Sequence, residues 1–136
     1  MVKDNRESWR YRLAQIRHEF GVGQHRNVAI VQFQIGSDSG ELKAVSGRAT
    51  RPGMVGLPQQ PFFESFEFPP GHSRAYDTEY KLLEELAAMY VEIPEVQGTV
   101  NLFTERPPCT SCSYVIEQFR QRFPNITLTV NHLNDD

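Results

Sequence analysis

The sequence contains no long hydrophobic run. None of its apolar stretches approaches the roughly 18 residues that span a membrane, and residues 3–17 lack the apolar centre of a secretory signal. Neither sign of charge dominates, because the chain has 14 Lys and Arg and 17 Asp and Glu, for a net charge of −3. This balance is no global signature of nucleic-acid binding, although it leaves room for a local basic surface. We expect a soluble, monomeric protein that does not bind membranes.

Cysteine is scarce. The only two cysteines are Cys109 and Cys112, and a disulfide between them would close too small a loop to constrain the unfolded chain much. A metal site, a redox pair or a coincidence remain as explanations for the pair.

The length of the chain bounds its organisation. With 136 residues, of which 39% are hydrophobic, the chain can form one domain with a core and is too short for two. We predict a single domain over residues 1–136, with an N-terminal helix at about residues 5–20 and a core at about residues 27–130.

Apolar periodicity predicts three helices and four strands. The helices are predicted at residues 5–20, 76–91 and 109–123. The strands are predicted at residues 27–35, 41–45, 98–104 and 126–130. The first two strands should form an antiparallel hairpin around a turn at residues 36–40. Helices link the later strands, which predicts parallel pairing with right-handed crossovers. The predicted fold is therefore an α/β, three-layer α/β/α sandwich with a mixed sheet.

A long segment at residues 48–74 has no period, because proline and glycine interrupt every candidate element. Such a loop is usually functional or disordered. Its aromatic and basic residues suit a surface that stacks on planar rings and contacts phosphate. They are Phe62, Phe63, Phe66, Phe68, Arg48, Arg51 and Arg74. The alternative is that the phenylalanines fasten the loop to the core, which is the commoner use of buried aromatic area.

Two short motifs open consecutive predicted helices. The first is Asp77-Thr78-Glu79, and the second is Pro108-Cys109-Thr110-Ser111-Cys112. Cysteines at positions i and i+3 lie on one helical face and can reach a single ion. The unpaired N–H groups of a helix N-terminus also stabilise thiolate over thiol, and proline suits the first turn because its missing N–H is not needed there.

Asp77 and Glu79 can converge only at the end of a helix, because residues two apart on a regular helix point away from each other. Asp77 and the two cysteines would supply three protein ligands, and a fourth position left for water is the open arrangement of catalytic zinc. Glu79 would then reach the water rather than the ion. His72 is the rival to Asp77, but it has no glutamate two residues after it.

Together the two motifs resemble the zinc-dependent nucleobase deaminases, whose signature is H-x-E followed by P-C-x-x-C. Asp77 stands where that signature has histidine. The closer resemblance is to deaminase domains at the C-termini of bacterial polymorphic toxins, in the group typified by a Burkholderia toxin. It rests on Ser46-Gly47 after the second strand, the Gly- and Pro-rich loop, residues 74–83 and the Pro-Cys-x-x-Cys motif.

This resemblance implies a cytidine-deaminase-like fold with one Zn²⁺ per chain, held by Asp77, Cys109 and Cys112. It implies that Glu79 is the catalytic acid and base in the hydrolysis of cytosine to uracil in nucleic acid, with DNA favoured over RNA. Substrate contacts are expected from a set of residues near the motifs. They are Ser46, Gly47, Phe68, Arg74, Arg106 and Pro108.

The same kinship implies a biological setting. The domain would be secreted or delivered as part of a larger toxin and would act in the cytoplasm of a target bacterium. An immunity protein would neutralise it in the producing cell.

Three other functions fit parts of the sequence. The same chemistry could act on a free nucleoside or nucleotide, on RNA or on adenine. The long segment at residues 48–74, which we call the aromatic loop, nevertheless favours a polymer. The chain could instead be a non-catalytic interaction module stabilised by zinc. Finally, Cys109 and Cys112 could form a thiol redox pair, in which case the Asp-x-Glu motif would be accidental.

Overall fold

The computed structural model describes residues 5–48, 51–66, 70, 77–108 and 110–133. Its elements follow the predicted order of three helices and four strands. They are α1 (Asn5–Glu19), β1 (Val28–Ile35), β2 (Asp38–Val45), α2 (Thr78–Tyr90), β3 (Gly98–Thr104), α3 (Thr110–Arg122) and β4 (Ile126–His132). None of the described helices is both long and apolar enough to cross a membrane.

The four strands form one mixed sheet in the order β2-β1-β3-β4. Strand β1 is antiparallel to both β2 and β3, whereas β3 and β4 are parallel. The predicted mixed α/β fold is therefore confirmed. The expected pairing of β2 with β3 is wrong, because these strands run in the same direction but β1 lies between them. Residues 28–31 of β1 are all fully buried, and a strand this apolar is most stable at the centre of a sheet.

The sheet is covered on both faces, as the predicted three layers require. On β1, Ala29 and Val31 pack with α2 and α3, whereas Val28 and Ile30 pack with α1. Trp9 of α1 stacks on Phe103 of β3, with ring centroids 5.1 Å apart. Each fully buried apolar side chain of this kind contributes roughly 1.5–3 kcal/mol, so helix packing on both faces holds the layers together.

The β1–β2 hairpin is tighter than predicted. Its loop has only two residues, Gly36 and Ser37, and Ile35 pairs with Asp38. Gly36 has a φ of +60°, which glycine adopts at little cost in a two-residue hairpin turn. Strand β2 consequently begins three residues before the predicted residue 41.

One edge of the sheet gathers the segments that carry the motifs. Val28 pairs with Val45 and Ala29 pairs with Thr104, so β1 begins where β2 and β3 end. We call this the carboxyl edge, defined by Val28, Val45 and Thr104. The first turn of α2 lies beside it, because Lys81 of α2 donates a hydrogen bond to the Val45 carbonyl at 2.7 Å.

Candidate metal centre

Asp77 is the N-cap residue of α2. Its backbone is extended, with φ −75° and ψ 152°, but its side chain makes no capping hydrogen bond. Instead, Oδ2 of Asp77 accepts a hydrogen bond from Sγ of Cys112 at 3.2 Å. A residue type that normally caps a helix is therefore directed toward the neighbouring helix.

Cys112 lies in the first turn of α3 and is 1% exposed. Its Sγ also lies 3.5 Å from Oε2 of Glu79. One ligand atom from each of Asp77, Glu79 and Cys112 lies within 4.8 Å of the other two. The structure thus brings three of the sequence-predicted site residues together at two helix N-termini. Cys109, the remaining predicted ligand, lies outside the described residues.

Glu79 is enclosed, with 3% of its surface exposed. Burial raises the pKa of Glu79, and the neighbouring Asp77 raises it further. Hydrogen bonds from its own backbone N–H and from the hydroxyls of Thr104 and Thr78 oppose that shift. A raised pKa makes this carboxyl group hold a proton more readily than an exposed one does, which suits it to general acid–base catalysis.

A buried amide holds the two threonines in place. Nδ2 of Asn27 donates to Oγ1 of Thr78 at 2.9 Å and to Oγ1 of Thr104 at 2.7 Å. Because both hydroxyl oxygens accept from Asn27, each threonine keeps its own proton to donate. The proton of Thr104 is shared between Glu79 and the carbonyl of Arg106, which lies 3.1 Å from Oγ1 of Thr104. The backbone of Asn27 is fixed by Ser46, whose Oγ accepts the Asn27 N–H at 2.9 Å. Asn27 was not singled out from the sequence, where its one signal is an amide at the start of an apolar strand.

The chemistry of this cluster fits a zinc ion. Two carboxyl groups and a thiol in a buried space repel each other when ionised, and a divalent cation removes that repulsion. Carboxylate oxygen and thiolate sulfur are both zinc ligands, and sulfur disfavours calcium or magnesium. Asp77, Glu79 and Cys112 could therefore hold a metal ion.

The predicted substrate residues fall into two groups. Ser46, Gly47, Arg106 and Pro108 lie in the described structure and continue from the carboxyl edge. Ser46 is engaged by Asn27, whereas the Arg106 side chain is exposed and donates to the carbonyl of Gln24 at 3.0 Å. Phe68, Arg74 and the rival ligand His72 lie outside the described residues.

The aromatic loop divides between core and surface. Phe63 is 5% exposed and packs edge-on against Phe119, with ring centroids 6.1 Å apart. This phenylalanine therefore fastens the loop to the core, which is the alternative given in the sequence analysis. Phe66 is 40% exposed and lies 5.9 Å from the Tyr114 ring. Its backbone N–H donates to Oγ of Ser111 at 3.0 Å, which places Phe66 beside the first turn of α3.

Glu84 of α2 fixes the same loop. Its carboxylate accepts hydrogen bonds from the backbone N–H groups of Phe62 and Phe63, at 2.8–2.9 Å. Burial raises the pKa of Glu84, whereas these N–H groups and Tyr80 lower it. The loop therefore depends on a buried carboxylate one and a half turns beyond Glu79 on the same helix.

The fold and the cluster are those of the cytidine-deaminase-like class: a mixed sheet between helices, with the candidate ligands at two helix starts. The model of a toxin-deaminase family, described as the BURPS668_1122 family of deaminases, matches residues 14–134. The chain belongs to this family of deaminases. No curated protein matches it.

Proposed function

We propose that this protein is a zinc-dependent deaminase that hydrolyses cytosine to uracil in DNA. The observation that carries the proposal is the convergence of Asp77, Glu79 and Cys112, whose ligand atoms lie within 4.8 Å of one another. Membership of a deaminase family gives this cluster its reaction class.

Asp77 and Cys112 would hold the zinc ion together with Cys109, which precedes Cys112 by three residues. When bound, zinc supplies a Lewis acid that makes water acidic enough to act as a nucleophile at neutral pH. The two ligand-bearing helix starts supply N–H dipoles that favour the ionised thiolates.

Glu79 would move the protons of the reaction. Its carboxylate takes a proton from the attacking water, whose oxygen forms a bond to C4 of cytosine. Glu79 passes this proton to the ring nitrogen N3. It then takes the second proton from the hydroxyl on C4 and delivers it to the amino group, so that the C4–N bond breaks, ammonia leaves and the C4 carbonyl forms. The hydroxyls of Thr78 and Thr104, held by Asn27, orient the carboxylate for both transfers.

A polynucleotide substrate is supported by the surface beside the cluster. Phe66 and Tyr114 are exposed aromatic residues next to the first turn of α3, and exposed rings stack on bases of a single strand without requiring a closed pocket. The resemblance to the Burkholderia-type group favours cytosine in DNA over adenine or RNA.

We assign the domain the role of a toxin module in bacterial antagonism, which its toxin-deaminase family supports. It would be delivered as part of a larger secreted toxin, act as a monomer in the cytoplasm of the target cell and be neutralised in the producer by an immunity protein.

Sequencing after incubation with four substrates tests this function. Purified protein is incubated with single-stranded DNA, duplex DNA, RNA and free cytidine, and the products are examined for C-to-T or A-to-G changes and for uridine. C-to-T changes in DNA are expected. Conversion of cytidine alone, or of adenine, would refute the proposed substrate. If no substrate loses an amino group, the proposed deaminase activity is refuted.

A further inference from the structure

Two exposed arginines lie next to the carboxyl edge. Arg26 directly precedes Asn27, the residue that contacts Thr78 and Thr104, and Arg106 follows β3 by two residues. In the described part of the chain, neither arginine forms an ion pair with a carboxylate. Two arginines therefore lie beside the candidate metal centre in a chain whose net charge is −3.

Arg26 is carried by a turn at residues 23–26 that is unusually well fixed. The N–H of Arg26 donates to the Gly23 carbonyl at 3.1 Å. Arg17 donates to the carbonyls of Gly23 and Arg26 at 3.0 and 2.6 Å. Arg106 donates to the carbonyls of Gln24 and His25 at 3.0 and 3.5 Å. All four carbonyls of this turn therefore accept hydrogen bonds from protein donors, and the turn is preorganised.

The Arg26 side chain lies over the end of β2. Gly47 has a φ of +111°, and a Cβ at this position would overlap the guanidinium of Arg26. The positive φ is the reason that position 47 favours glycine, and the absence of a side chain there leaves the Arg26 guanidinium in close contact with the backbone at the end of β2.

Two other charged residues lie on this edge. Glu105 is engaged by Arg17 in a short ion pair, so its charge is compensated. Lys81 lies at the Val45 carbonyl, two residues before Gly47.

We propose that Arg26, supported on its turn by Arg106, binds a phosphodiester group of single-stranded nucleic acid next to the base that enters the candidate metal centre. This inference rests on the proposed function and adds a phosphate subsite to it. The planar guanidinium suits bidentate recognition of phosphate. The fixed turn lowers the entropy cost of holding the guanidinium in place.

Salt-dependent binding tests the subsite. The Glu79→Ala protein, which should not consume the probe, is titrated with a fluorescent single-stranded DNA oligonucleotide at several salt concentrations. Each phosphate contact to a single strand contributes about 0.7 to the slope of log K against log salt. Arg26→Gln in this background should lower the slope by about 0.7 and weaken binding about fivefold near 0.1 M salt. Arg26→Lys should recover most of the slope but not all of the affinity.

Arg122→Gln is the matched control, because it removes one exposed arginine from the last turn of α3, about 18 Å along the helix from its start. It should change neither slope nor affinity. An unchanged slope in Arg26→Gln, or an equal loss in Arg122→Gln, would overturn the subsite while leaving the proposed function in place. If the Glu79→Ala parent binds no single-stranded oligonucleotide, the subsite is overturned, whereas the proposed function is decided separately by the duplex DNA arm of the sequencing assay.

Discussion

Sγ of Cys112 lies 3.2 Å from Oδ2 of Asp77, although the two residues are 35 positions apart in the chain. This contact joins the first turn of α3 to the N-cap of α2. It leaves the N-terminus of α2 without its side-chain cap, which typically forgoes about 1 kcal/mol of helix stability. The helix therefore lacks a stabilising interaction at the residue that we propose as a metal ligand.

Removal of either proposed ligand should release the metal. Asp77→Ala and Cys112→Ala each remove one of the few proposed metal-ligand atoms. We therefore expect zinc affinity to fall by at least about tenfold to a hundredfold, which is the range found even for residues that only contact the ligands. Elemental analysis after dialysis against a weak chelator measures this loss. Asp38→Ala is the control, because Asp38 lies in the hairpin and bonds to Tyr90 at 3.1 Å. Full zinc content in both ligand variants would contradict the assignment.

The buried amide of Asn27 should affect turnover more than substrate affinity. Asn27→Ala leaves the hydroxyls of Thr78 and Thr104 without their donor, so we expect a loss of about 1–3 kcal/mol in stability. Because those hydroxyls orient Glu79, kcat should fall while KM changes little. Urea unfolding and steady-state kinetics measure the two effects.

Asn125→Ala provides the comparison for that variant, since its amide bonds only to the exposed carbonyl of Glu95 at 2.9 Å. It should leave kcat unchanged. A rise in KM without a fall in kcat for Asn27→Ala would place Asn27 in substrate binding instead.

Local sequence signals were sufficient for most of the secondary structure. Strand β3 has the predicted bounds, and α3 ends one residue before its predicted end, because glycine and proline mark these boundaries. The start of β2 was predicted late, because the turn-forming residues 36–40 do not reveal that only Gly36 and Ser37 form the loop. Strand order was also missed, since it depends on which strand the distant helices bury.

Only part of the candidate site could be predicted from the sequence. Asp77, Glu79 and Cys112 belong to local motifs, and their convergence follows from two helix starts. Arg26 and Asn27 carry no motif, and Asn27 meets Thr78 and Thr104 across 51 and 77 positions of chain. Such contacts are created by the register of β1 against β2 and β3, which no local pattern specifies.

The buried carboxyl group of Glu84 should make stability depend on pH. Its pKa is raised in the folded protein above the ordinary value of 4.5, so the folded state binds the proton more tightly than the unfolded state. The associated stability is present below pH 4.5 and is lost as pH rises through the folded pKa. Urea unfolding across this range should show a negative slope that Glu84→Gln reduces, while Glu79, whose pKa is also raised, accounts for a remaining part. Parallel curves for wild type and Glu84→Gln would contradict this, and exposed Glu85→Gln should leave the slope intact.

Phe63 and Phe66 of the aromatic loop should differ in their roles, the first in stability and the second in DNA binding. Phe63→Ala should cost about 3–5 kcal/mol, because the ring is buried in the core. Phe66→Ala should cost less than about 1 kcal/mol in stability, because the ring is exposed. It should nevertheless weaken single-stranded DNA binding by about 1–3 kcal/mol if a base stacks there. Chemical denaturation and fluorescence titration measure these effects, and equal affinities for Phe66→Ala and wild type would exclude stacking at this ring.

The most direct test of the account is zinc content and DNA deamination measured on the same preparation of Glu79→Ala, beside wild type and the exposed-helix control Glu85→Ala. Glu79 is assigned to proton transfer rather than to metal binding. The account therefore predicts one zinc ion per chain in all three proteins and C-to-T conversion in all but Glu79→Ala, whose rate should fall by at least about 10²-fold. Wild-type conversion by a zinc-loaded Glu79→Ala protein would contradict it.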